Sequence, residues 1–157
     1  MKKFGPFVLS LLLILIISGG CKITSTEPSP PKKVGIFSIN FKNTPLKWIH
    51  NRGARIWECN FTMIVGDTNG VGGTISTVET IVYLKNTRVA SNVVGGGYVS
   101  VNGSLEIDCH IWVDDQYQFD KMTVTANGVD NNGYSFSIST SQTIIWSFFK
   151  SMLIREY

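Results

Sequence analysis

The sequence predicts an all-β domain, an antiparallel two-sheet sandwich, standing behind an export leader and a Pro-rich linker. Three observations carry this. From residue 34 onward apolar residues recur with a period of two, the period of a half-buried strand. The alternating runs are separated by clusters of Gly, Asn and Asp that suit turns. Helical periodicity is almost absent ahead of the C-terminal stretch, so strands must bury their apolar faces against one another in two layers.

The leader comes first in order. Residues 1–21 read MKKFGPFVLSLLLILIISGGC. Lys2 and Lys3 precede an apolar run from Phe7 to Ile17, and Ser18, Gly19 and Gly20 precede Cys21. A charged start, a short apolar centre and a small-residue exit make a secretory signal, too short for a stable span. An uncleaved N-terminal anchor helix is the alternative. The pattern resembles the signal of bacterial lipoproteins. That resemblance implies that residues 1–20 are removed and that Cys21 is lipidated, palmitate included, as the mature N-terminus. With Lys22 in place of aspartate, it also implies the outer membrane where the host has one.

Residues 22–33, KITSTEPSPPKK, hold Pro28, Pro30 and Pro31 and can form neither a helix nor a central strand. At about 3.1 Å per residue such a spacer holds a domain some tens of ångströms from a bilayer. The predicted organisation is therefore a signal over 1–20, lipidated Cys21 with its linker over 21–33, and one domain over 34–157. Setting aside Lys2 and Lys3, 12 basic side chains face 11 acidic ones. That near-balance excludes a polybasic nucleic-acid binder and an acidic disordered tail.

Within the domain, VGIFSINF puts Phe37, Ile39 and Phe41 on one face. ARIWECNFTMIV puts Trp57, Cys59, Phe61, Met63 and Val65 inward, with Glu58, Asn60 and Thr62 outward. LEIDCHIWV groups Ile107, Cys109, Ile111 and Val113 against Glu106, Asp108, His110 and Trp112. DKMTVTA repeats the pattern with Met122, Val124 and Ala126 inward. Turns are expected at Gly66–Gly70, Gly95–Gly97, Asn102-Gly103, and from Asn127-Gly128 through Asn132-Gly133.

With Cys21 lipidated, Cys59 and Cys109 remain as a pair in an oxidising setting, both on inward faces. The segment GVGGTISTVETIVYL, the glycine run after it, the next alternating strands and the turn VDNNGY resemble small immunoglobulin-like domains of bacterial lipoproteins. That resemblance implies an inter-sheet Cys59–Cys109 disulfide, although Trp57 precedes the first cysteine and the antibody-type tryptophan is absent. Two buried free thiols are the alternative.

Chemistry-bearing motifs are few. Asp108 and His110 lie two residues apart on one outward face, so a contact between them is feasible and a hydrolase would have to use them. No serine stands in a G-x-S-x-G elbow or an S-x-x-K pair, and no cluster of metal ligands is found, so no catalytic residue, metal or cofactor is expected. Gly70-Val71-Gly72-Gly73-Thr74 lacks the lysine of a phosphate loop and runs into a strand pattern, so a turn is expected. Asp130-Asn131-Asn132-Gly133 has Ser141 where a calcium loop needs glutamate.

The loop TPLKWIHNRG offers Lys47, Trp48, His50 and Arg52 as a basic and aromatic binding surface, unless Trp48 and Ile49 plug the core. The C-terminal TIIWSFFKSMLIREY is apolar, too short to span a bilayer, and expected to fold back on the domain, covering Trp112. The expected function is a membrane-anchored, extracytoplasmic lipoprotein with a non-catalytic binding domain for an envelope protein or glycan. A structural envelope protein without a specific ligand is the alternative. Exposure of Trp48, Trp112, Tyr117 and Phe119 separates a glycan platform from a protein-docking face.

Overall fold

The computed structural model describes residues 31–145; the expected signal, Cys21, most of the expected linker and residues 146–157 lie outside the described residues. The domain is all-β. Its strands are β1 (Phe37–Phe41), β2 (Ile49–Asn51), β3 (Ile56–Asp67), β4 (Gly73–Leu84), β5 (Thr87–Gly95), β6 (Tyr98–Val99), β7 (Ser104–Asp114), β8 (Lys121–Asp130) and β9 (Ser135–Thr143).

They form two antiparallel sheets. In the first, β7 runs along one edge of β3 from Ile56↔Asp114 to Gly66↔Ser104. β1 and β2 share the other edge of β3, β1 against Met63–Asp67 and β2 against Ile56–Glu58. In the second, the order is β5-β4-β8-β9, and β6 pairs with the start of β4 beside β5. Where the edges of the sheets meet, Asn92 Nδ2 on β5 donates to the His110 carbonyl on β7 at 2.7 Å.

The alternation read from the sequence holds. Cys59, Met63 and Val65 on β3, Ile111 and Val113 on β7, and Met122, Val124 and Ala126 on β8 are all buried in one core with Val78 and Val82 of β4. Each such side chain withdrawn from water contributes about 1.5–3 kcal/mol for the larger residues. The outward partners on β7, Glu106, Asp108, His110 and Trp112, are exposed.

Two expectations are corrected here. Asn127-Gly128 is not a turn; β8 runs on to Asp130, and the turn follows at Asn131–Gly133, with Gly133 at φ 91°. Gly128 serves close approach instead: a Cβ there would stand 2.3 Å from the Thr74 carbonyl on β4. The Cys59–Cys109 bridge is also absent, and both thiols are free and buried. The two residues are not on opposite sheets. β3 and β7 are hydrogen-bonded neighbours, with Cys59 opposite Ile111 and Cys109 opposite Phe61. Diagonal neighbours in a sheet stand about 7–8 Å apart, beyond the Cα separation of about 4.4–6.8 Å usual in a bridge.

The β4–β5 hairpin was not read from the sequence. Its two-residue turn is Lys85-Asn86, both at positive φ, 47° and 71°. No glycine marks it. Asp120 Oδ2 accepts the Lys85 N–H at 3.0 Å and helps hold the turn from outside.

Candidate functional site

The loop proposed from TPLKWIHNRG does not form one surface. Extended backbone carries the alternation of β2 back to Lys47, so Lys47 and Ile49 face out while Trp48 and His50 turn in. Trp48 is buried in the core, its ring 4.4 Å from that of Phe119 at 47°. It is the plug, and the binding role expected of it is withdrawn. His50 sits in a strand, stacked on Trp57 at 4.5 Å, with Nε2 3.5 Å from Asp115 Oδ2. Arg55 Nη2 approaches the other Asp115 oxygen at 3.4 Å. The acid missing from the local sequence is thus supplied by the β7–β8 loop. Arg52 is exposed in the turn between β2 and β3.

Asp108 and His110 project from the outer face of β7, directly opposite Thr62 and Asn60 of β3. The Thr62 hydroxyl donates to Asp108 at 2.8 Å, a cross-strand bond that orients the carboxylate. These four side chains, with Asn43, line a shallow depression on the sheet. Polar groups held in this way can receive or donate hydrogen bonds to a ligand lying along the strands.

The feature that sequence reading missed lies one step further along. Ile49, Glu58 and Trp112 face one another across β2, β3 and β7 in a single row. Ile49 is 64% and Trp112 56% exposed. Glu58 between them accepts from Asn51 Nδ2 at 3.1 Å. Tyr117, 45% exposed, sits at the same end of the sheet in the loop after β7. Large apolar residues set beside oriented polar groups are the composition of a binding surface. No local signal could have found this row, because its three members come from three strands.

The far end of the domain holds a different arrangement. Asp67 accepts backbone N–H bonds from Gly72 (3.0 Å), Asn69 (3.2 Å) and Asn102 (2.8 Å). Asp130 accepts from Gly35 (2.6 Å), Asn132 (2.9 Å) and Tyr134 (2.9 Å). Burial pushes both carboxyls up, but the donated N–H groups outweigh it and hold each below the usual carboxylate range. These oxygens are committed to backbone, so they tie loops together. The glycine loop 70–74 likewise directs its N–H of Gly72 at Asp67, the anion it cradles. Asn69 and Asn132 also bond Val34 and Lys33, fastening the chain where it enters the domain.

The buried thiols are far from reactive. Burial pushes Cys59 up to about 12, and burial with the nearby Asp108 charge pushes Cys109 up to about 11.

Comparison with known proteins gives fold without function. No family model matches the sequence, and no curated protein matches it. Among solved structures, an ApaA-type protein from Bordetella pertussis superposes with a TM-score of 0.53 at 13% identity, covering 73% of this chain and 96% of that one. A second structural-genomics target superposes with a TM-score of 0.51 at 15% identity, covering 67% of this chain and 84% of its own. At such identities the likeness is one of all-β architecture.

Proposed function

We propose that this chain is a lipid-anchored lipoprotein of the bacterial envelope, attached through Cys21, whose two sheets form an immunoglobulin-like sandwich that binds a partner without catalysis. The observation that carries the binding reading is the exposed row Ile49–Glu58–Trp112 beside the depression at Asn60, Thr62, Asp108 and His110. Its placement supports the reading. The chain enters beside Phe37, which pairs with Asp67, whereas Trp112 pairs with Glu58, nine residues back along β3. At about 3.4 Å per residue the two lie roughly 30 Å apart. The chain thus enters the domain at the end of the first sheet away from Trp112. The spacer 22–33 adds reach, and the near-neutral charge of the exported part suits an envelope partner better than nucleic acid.

The test is affinity capture from intact membranes with the full lipidated protein and its Trp112→Ala variant. A partner enriched by the wild type and lost with the variant supports the reading. Equal capture by both removes this face from the function, and capture of nothing by either favours a structural envelope role.

A further inference from the structure

We propose that the outer face of the first sheet recognises a basic, extended segment of a protein partner, with one arginine or lysine seated over the Trp112 indole beside Glu58 and a second meeting Asp108. This rests on the binding reading above and names the chemistry of its ligand.

Charge is the first argument. The face carries Glu58, Glu106 and Asp108 against two lysines, Lys47, which faces out beside Ile49, and Lys42, which is bonded to Glu106 at 2.6 Å. Yet the chain from residue 21 onward has 12 basic to 11 acidic side chains, so this face runs against the sign of the whole. A surface of that sign steers cationic partners and repels phosphate and anionic lipid.

Geometry is the second. Trp112 stands directly opposite Glu58, with Cβ atoms about 4.5–5.5 Å apart in such a pair. A cation over the exposed indole therefore has a carboxylate within reach, and tryptophan is the best aromatic platform for one. Both carboxylates are oriented in advance, Glu58 by Asn51 and Asp108 by Thr62. A partner then loses less freedom in arranging the site.

Spacing is the third. Trp112 and Asp108 are four residues apart on one face of β7, roughly 13 Å along the strand. An extended segment covers that distance between residues i and i+4. Its middle side chain then falls on Asn60 and His110, which are directly opposite each other. The expected recognition unit is thus two basic residues separated by three small ones.

The experiment titrates full-length lipidated protein in non-ionic detergent with a labelled, end-blocked peptide, Arg-Gly-Ser-Gly-Arg. Its lysine and glutamate counterparts, a version with the two arginines adjacent, and a neutral N-acetylated oligosaccharide are run beside it. The arginine and lysine peptides are expected to bind, more weakly as salt rises, with the adjacent-arginine and glutamate peptides weaker or silent. Trp112→Ala and Glu58→Gln are expected to weaken binding by about fivefold or more each, and Glu79→Gln, on the other sheet, to leave it unchanged. Trp112 is exposed, and Glu58→Gln retains a side-chain oxygen for Asn51, so unchanged melting curves accompany both variants. Equal binding of the glutamate peptide, binding indifferent to both variants, or a preference for the oligosaccharide overturns the proposal. If Trp112→Ala abolishes partner capture from membranes while no basic peptide binds, the ligand class is wrong and the binding face stands. If that variant captures all that wild type captures, the binding reading falls and this proposal falls with it.

Discussion

Gly128 lies on β8 directly opposite Ile75 of β4, and replacing it by alanine tests the fit of the second sheet. The new Cβ would stand 2.3 Å from the Thr74 carbonyl oxygen, 2.7 Å from Phe136 Cζ and 3.1 Å from Ile75 Cα. The Phe136 ring can swing aside. The Thr74 carbonyl cannot, because it belongs to the β4–β8 ladder beside the register shift at Ile75/Thr77. Relief requires the two strands to part, an overpacking cost of about 1–3 kcal/mol. In a domain of this size each kcal/mol lowers Tm by about 3–6 °C, so Gly128→Ala is expected to melt roughly 5–15 °C early. Two other glycines separate the causes. Gly95 has nothing within 4 Å and no positive φ, so Gly95→Ala should stay within about 0.5 kcal/mol of wild type. Gly133 also has open space but sits at φ 91°, so Gly133→Ala should show backbone strain alone, about 1–2 kcal/mol. Thermal denaturation followed by circular dichroism ranks the three. A Gly128→Ala variant melting within 2 °C of wild type, or no worse than Gly95→Ala, would refute the close-approach argument.

Trp48→Ala should cost about 3–5 kcal/mol in urea unfolding, as a large core side chain does, while Trp112→Ala stays within about 0.5 kcal/mol; equal costs would contradict the burial of one and exposure of the other. Cys59 and Cys109 should both take up iodoacetamide in denaturant without reductant, and neither in the folded protein at pH 8, since their ionisation lies near 12 and 11. A non-reducing peptide map with the two joined would defeat that expectation. Asp67 and Asp130 are held below the ordinary aspartate value of about 3.9, so their contribution is complete above that pH and is lost as pH falls through the lowered values. The urea midpoint is therefore expected to change little between about pH 7 and 5 on their account and to drop below about pH 4. Asp67→Asn should be less stable at neutral pH and lose less on acidification; a parallel acid limb in that variant would count against the role given to Asp67.

Which side of a strand a residue faces was legible along the chain, and the reason is local. The pleat fixes a period of two, so the inward set of Trp57, Cys59, Phe61, Met63 and Val65 follows from composition and burial alone. Which strands lie side by side was not legible, because pairing is decided by contacts between distant segments. Cys59 and Cys109 were rightly placed inward and wrongly bridged: knowing the face says nothing of whether two strands belong to one sheet or to opposite sheets. The same gap hid the exposed row on the first sheet. Ile49 read as a loop residue and Trp112 as a solitary outward tryptophan until β2, β3 and β7 aligned them about Glu58. Trp48 looked like a recognition residue because nothing local marks Phe119, seventy-one positions on, as its partner. Asp67 and Asp130 read as turn formers, and so they are, yet their carboxylates also take N–H groups from residues 35 and 95 positions away. Periodicity is a property of the backbone and travels with the chain, whereas neighbourhood arises only when the two sheets close on their shared core.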